Sequence, residues 1–162
     1  MKIALGADGS GYCLTQAIKE DLMKQGGYEI IDTNPDGPVY YADAARAVAG
    51  MVQRGEVDRG IICCGTGMGL SIIANKHKGV YAALVESVWT ARRSKTVNNT
   101  NVLCMGGFVV GAVMAVEMAN AWLKAKHLQG LDERDREVVN GEFHSIEEYE
   151  EIAYKDLSLI HI

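Results

Sequence analysis

The 162-residue chain lacks any apolar run near the roughly 18 residues of a bilayer-spanning helix. A soluble protein is therefore expected, with no membrane partner. It also lacks an excess of positive charge: Lys plus Arg number 16 against 21 Asp plus Glu, a net charge of −5. A polyanion-coating surface is disfavoured, and nucleic acid is not an expected partner. The opening residues, MKIALGAD, meet an acid after a short apolar stretch and carry no small-residue cleavage pattern. A cytoplasmic location follows. The four cysteines, Cys13, Cys63, Cys64 and Cys104, contain no CxxC pair, so free thiols are expected in place of a disulfide framework. His77, His127, His144 and His161 show no ligand spacing, and neither a metal nor another cofactor is expected. Only two prolines stand against 18 glycines, which suits tight turns within one compact domain of this length better than a flexible linker.

Short apolar runs alternate with longer segments of helical spacing, the pattern of parallel strands covered by helices on both faces. The fold class is α/β. Strands are predicted at residues 2–7, 28–32, 60–64, 80–85 and 101–105. Helices are predicted at 11–24, with Leu14, Ile18 and Leu22 on one stripe, and at 41–53, 72–76, 87–96 and 109–126, the last being the longest. The stretch TNPDGP at 33–38 must be a loop. From residue 131 the chain is charged and reads as a C-terminal extension of two short helices that grip a neighbour. No repeat marks an internal boundary, so residues 1–162 form one domain.

Ligands of open parallel sheets collect beyond the carboxyl ends of the strands. Those ends are expected to carry Asp8, Cys64 with the glycines after it, Glu86, and a loop with Asn98, Asn99 and Asn101. The segment Cys64-Gly65-Thr66-Gly67-Met68-Gly69-Leu70-Ser71 reads as strand, tight turn and helix start. Unpaired N–H groups at such a turn can hold an anion, a phosphate or an enolate oxygen. The spacing is neither GxGxxG nor GxxxxGK[ST], so nucleotide binding is weakly supported, and a turn using glycine for geometry alone is the plain alternative. Cys64 sits where a strand ends and a helix dipole begins, an environment that favours thiolate, so it can act as base or nucleophile. Cys63 must point to the opposite face, into the core. Thiol redox chemistry is disfavoured because no resolving cysteine sits at CxxC spacing.

The segments MKIALGAD, GIICCGTGMGLSIIANK, TVNNTNVLCMGG and NAWLKAK resemble the B-type ribose-5-phosphate isomerases and the related galactose-6-phosphate isomerase subunits over about residues 1 to 130. That resemblance implies a Rossmann-like, doubly wound, five-stranded parallel sheet in three α/β/α layers. It implies a homodimer or tetramer with shared active sites, and metal-free aldose–ketose isomerisation of a sugar or sugar phosphate through an enediolate. By the same resemblance Cys64 is the base and Thr66 moves a hydroxyl proton, with Asp8 the third catalytic residue. The amides from Gly65 to Gly69, Gly67 and Met68 among them, stabilise the enediolate. Asp8, Tyr41, Ser71 and Asn98 match positions lining the sugar pocket. Read without the resemblance, Asp8 caps a helix and Asn98 organises a turn.

The sequence departs from the family pattern at four places. Gly9 follows Asp8 where the family has histidine, and Val97 stands where a ring-opening histidine precedes Asn98. Phe108 and Leu131 occupy the matched places of two phosphate-holding arginines. Arg92, Arg93, Arg134 and Arg136 could supply replacement charge, while Phe108 and Trp89 could equally be ordinary core. Three readings besides a pentose phosphate stay open: a tetrose 4-phosphate, which cannot close a furanose; an unphosphorylated or acidic sugar; and a non-catalytic partner subunit.

Overall fold

The computed structural model describes residues 1–155. Eleven elements follow one another as β1 (Lys2–Ala7), α1 (Tyr12–Gln25), β2 (Glu29–Asp32), α2 (Tyr41–Gln53), β3 (Arg59–Cys64), α3 (Met68–Ala74), β4 (Ala82–Leu84), α4 (Val88–Asn98), β5 (Val102–Gly106), α5 (Ala112–Lys124) and α6 (Glu133–Lys155). All strand pairs are parallel, in the order β2-β1-β3-β5-β4. The expected five-stranded, doubly wound sheet is thus present.

Strand side chains alternate between two apolar layers. Ile3, Leu5, Ile61, Cys63, Leu103 and Met105 face one layer, where Leu14, Ile18 and Leu22 of α1 meet Met118 and Trp122 of α5. Ala4, Ile62, Cys64, Val102 and Cys104 face the other, packed on Ala44, Val48, Leu70 and Ala74 of α2 and α3. Burial on both faces explains why β1, β3 and β5 read as near-continuous apolar runs.

The structure corrects several expectations. The extension is one 23-residue helix, not two short ones, and it rather than the 13-residue α5 is the longest. Its start is capped by Asp132, whose Oδ1 accepts the Asp135 N–H at 2.9 Å. Phe143, its buried residue, packs edge-on against Tyr81 and His127 at 5.3 and 5.2 Å. Residues 156–162 of the expected extension lie outside the described residues. Helix α3 begins at Met68, four residues before the expected start, because Gly67 turns the chain immediately into it. Strand β4 keeps only three residues, since Tyr81 spends its N–H on the Asn101 side chain instead. Trp89 and Phe108 are 70% and 78% exposed, so neither is core. Among the described residues no helix is long and apolar enough to cross a membrane.

Candidate active site

Strands β1 and β3 lie side by side where the winding of the sheet reverses, which is where open parallel sheets bind ligands. Their ends are joined directly. The Asp8 N–H donates to the Cys63 carbonyl at 3.2 Å. Asp8 Oδ1 accepts the N–H groups of Ser10 and Gly11 at 2.9 and 3.0 Å, so one carboxylate oxygen shapes the turn into α1. A methyl on Gly11 would stand 2.3 Å from the Cys63 carbonyl carbon, so only glycine lets α1 start this close to β3. Asn34, buried after β2, holds the end of β1 by accepting the Ala7 N–H at 3.1 Å.

Cys64 closes β3 with its sulfur on the α2 and α3 side and 6% of its surface open, whereas Cys63 and Cys104 are fully covered. Burial pushes the Cys63 and Cys104 thiols well above the usual range, which removes both as bases near neutral pH. The Gly67 N–H donates to Cys64 Sγ at 3.1 Å. Gly67 reaches that position at φ +78°, the left-handed region that favours glycine. Two of the amides expected to face an enediolate oxygen are therefore used otherwise. Gly67 serves the sulfur, and the Met68 N–H points to Thr66 Oγ1 at 3.4 Å. The amides of Gly65, Thr66 and Gly69 have no hydrogen-bond partner among the described residues.

Tyr41, at the start of α2, lays its ring against Gly69, where a methyl would meet Cε2 at 3.0 Å. Ser71 turns its hydroxyl back to the Met68 carbonyl at 2.8 Å, and Thr66 is exposed. Gly9 is exposed, with open space where a side chain would start. Strand β5 completes the turn from the other side: Gly107 N–H donates to the Cys64 carbonyl at 2.7 Å and Phe108 N–H to the Gly65 carbonyl at 2.9 Å. The Phe108 ring covers Gly65 so closely that a methyl there would lie 2.6 Å from Cε2. Sequence reasoning missed Asn34 and Gly107 and assigned Phe108 to a pocket only as a lost arginine. The MGGF run ending β5 was the available signal for the last two.

Asp8, Gly9, Tyr41, Cys64, Gly65, Thr66, Gly67, Met68, Gly69 and Ser71 are thus assembled at the carboxyl edge. Asn98, Arg134 and Arg136 are not. In a parallel sheet a helix returns the chain to the amino edge, so the end of α4 lies across the sheet from Cys64. Asn101 there accepts the Gly60 N–H at the start of β3. The loop before α6 is tied to the same edge, with Leu128 N–H on the Thr96 carbonyl at 2.8 Å, and Arg136 Nε donates to the Leu131 carbonyl at 2.9 Å. The expectation that one chain gathers Asn98 beside Cys64 is therefore corrected. Asn98, Arg134 and Arg136 are all exposed. Of the other arginines, Arg93 lies 5.9 Å from the Trp89 ring centroid and Arg92 is exposed near Gly130.

The family model for Ribose/Galactose Isomerase matches residues 3–140. The chain belongs to that family. The enzyme class is accordingly aldose–ketose isomerisation. A 4-deoxy-4-sulfo-D-erythrose isomerase of Clostridium sp. (strain MSTE9) is 37% identical over 158 residues, covering 96% of this chain and 99% of the relative. A D-erythrulose-4-phosphate isomerase 2 of Mycolicibacterium smegmatis is 37% identical over 127 residues, 76% of this chain and 84% of the relative. Among solved structures, ribose-5-phosphate isomerase B of Clostridium thermocellum superposes with a TM-score of 0.83 at 40% identity, covering 93% of this chain and 98% of that one.

Proposed function

We propose that this isomerase acts on a four-carbon sugar bearing an acidic group at C4, phosphate or sulfonate, with Cys64 as the base. The observation that carries the reading is the site's composition: a cysteine sulfur at the strand end and free backbone donors are present, while Gly9 and Val97 leave the family's ring-opening position without an imidazole. A tetrose substituted at C4 cannot close a five-membered ring, so it arrives open-chain and needs no ring opening. Relatives named for sulfo-erythrose and erythrulose 4-phosphate support that size.

The Cys64 sulfur, held by the Gly67 N–H, takes the C2 hydrogen of the aldose as a proton. Negative charge then develops on O1, within reach of the free Gly65, Thr66 and Gly69 amides, fixed dipoles that need no reorganisation. The Thr66 hydroxyl passes the O2 proton to O1, and the Cys64 thiol returns its proton to C1. The product is the 2-ketose. Asp8, Tyr41 and Ser71 border the sugar. Phe108, covering Gly65, limits the room available to a longer chain.

A second copy of the chain completes the pocket and makes the enzyme a homodimer or tetramer. Its Asn98, Arg134 and Arg136, which this chain holds at the far edge, supply polar and positive groups for the acidic end. Tyr40, Met68, Ile72, Trp89, Phe108 and Val113, all exposed, give the region around the carboxyl edge an apolar rim suited to being covered.

The test is turnover of erythrose 4-phosphate, 4-deoxy-4-sulfo-erythrose and ribose 5-phosphate in deuterium oxide, with wild type and Cys64→Ala. Tetrose turnover with deuterium incorporated at the exchanged carbon is expected, falling roughly 10²- to 10⁴-fold in Cys64→Ala. Faster turnover of ribose 5-phosphate would overturn the substrate, and wild-type rates in Cys64→Ala would overturn the base.

A further inference from the structure

The turn after α4 has to be held in shape before a second copy can use it, and the holding group is unusual. Lys95 is 4% exposed. Its Nζ donates to Asn99 Oδ1 at 2.6 Å and to the Thr100 carbonyl at 3.2 Å. Asn99 adopts φ 49°, left-handed backbone that a residue with a side chain holds at a cost. Thr100 is pinned from three directions: its N–H on the Ser94 carbonyl at 3.2 Å, its hydroxyl on Ser94 Oγ at 3.1 Å, and the Trp122 Nε1–H on that hydroxyl at 2.9 Å.

The charge bearing on this ammonium is itself a cation. Arg59 of β3 opposes its charge, and His127, following α5, feels Lys95 in turn. On α6, His144 and Glu147 act on His127, and among the described residues no carboxylate pairs with Lys95. Burial and the Arg59 charge bring the Lys95 pKa down to about 8. A buried ammonium without a carboxylate costs stability, and an apolar residue of similar length would avoid that cost. What the cation does here is bind the Thr100 carbonyl just past the end of α4 and the side chain of the left-handed Asn99.

We propose that Lys95 is a positioning residue of the isomerase: it locks the 98–101 turn in the shape with which a second copy completes the Cys64 pocket. The inference rests on the two-copy site proposed above. Lys95 itself touches no substrate.

The experiment compares wild type, Lys95→Met and Lys95→Arg in tetrose turnover from pH 6.5 to 9.5, with thermal melts and amide hydrogen exchange at residues 99–101. Wild-type kcat/KM is expected to fall as pH rises through about 8, where the ammonium loses its proton. In Lys95→Met, kcat/KM at pH 7 should fall about 10- to 100-fold, as a misplaced contact does, without that alkaline limb. Its melting temperature should hold while protection at 99–101 drops. Lys95→Arg, which keeps its charge, should recover both turnover and protection and stay active above pH 8. Wild-type kcat/KM in Lys95→Met, or unchanged protection, overturns this inference alone. So does a loss in Lys95→Met that tracks a lowered melting temperature and is not rescued by arginine. A wild type inactive on every tetrose overturns the four-carbon substrate proposed above, and this inference as stated with it.

Discussion

Substituting Gly11 with alanine tests whether the ends of β1 and β3 act as one unit. The added methyl would lie 2.3 Å from the Cys63 carbonyl carbon and 2.5 Å from the Cys64 nitrogen. Both are backbone atoms in the middle of the sheet, so neither can swing aside. Carbon atoms sit comfortably near about 3.5 Å, so the start of α1 must retreat by about 1 Å. Backbone strain adds nothing, because Gly11 lies at φ −102°, open to any residue. Overpacking of this kind costs about 1 to 3 kcal/mol. The retreat also pulls Asp8 from the Cys63 carbonyl that it binds at 3.2 Å. A displacement of about 1 Å between catalytic groups lowers turnover by roughly 100-fold. Urea unfolding and steady-state tetrose isomerisation read the two effects separately. Gly141→Ala is the matched control: open space surrounds it within α6, and alanine there should stabilise by about 1 kcal/mol without altering turnover. A Gly11→Ala protein with the wild-type unfolding midpoint and turnover would refute the reasoning.

Trp122→Phe removes the indole N–H that donates to Thr100 at 2.9 Å, and a loss of about 1 kcal/mol in urea unfolding is expected, since the hydroxyl keeps Ser94. Phe143→Ala empties the contact that docks α6 on Tyr81 and His127, at a cost of about 3 kcal/mol, so limited proteolysis should cut within α6 while residues 1–124 stay intact. Lys95 gives a pH dependence of definite sign. Its folded pKa of about 8 lies below the ordinary 10.5, so between those values the unfolded chain binds the extra proton and stability rises with pH. Relative to Lys95→Met, the wild type should gain up to about 3 kcal/mol across that window, and a difference between the two that does not change with pH would contradict the burial of the ammonium.

Much of the site was legible because it obeys local rules. A side-chain period of two sends Cys63 and Cys64 to opposite faces whatever the rest of the fold does, and both faces are apolar as expected. Glycines crowded after a strand likewise mark a turn into a helix, and the turn is there. The order β3-β5-β4 was not legible, because which strand pairs with β3 depends on how helices far apart in sequence pack. Nor was the use of the Gly67 amide, which follows from one left-handed residue bringing its N–H to 3.1 Å from a sulfur three positions back.

The sequence by itself determined the α/β class, the placing of Cys64 and the glycine turn at a strand's end, and the absence of an imidazole at position 97, because periodicity and residue chemistry are local properties of the chain. Only the tertiary structure decided that Asn98, Arg134 and Arg136 stand across the sheet from Cys64, that Phe108 covers Gly65 in the open, and that the C-terminal segment is one long helix held through Phe143. Those are matters of which edge a returning helix reaches and which surfaces meet, and they depend on contacts between residues that the sequence keeps far apart.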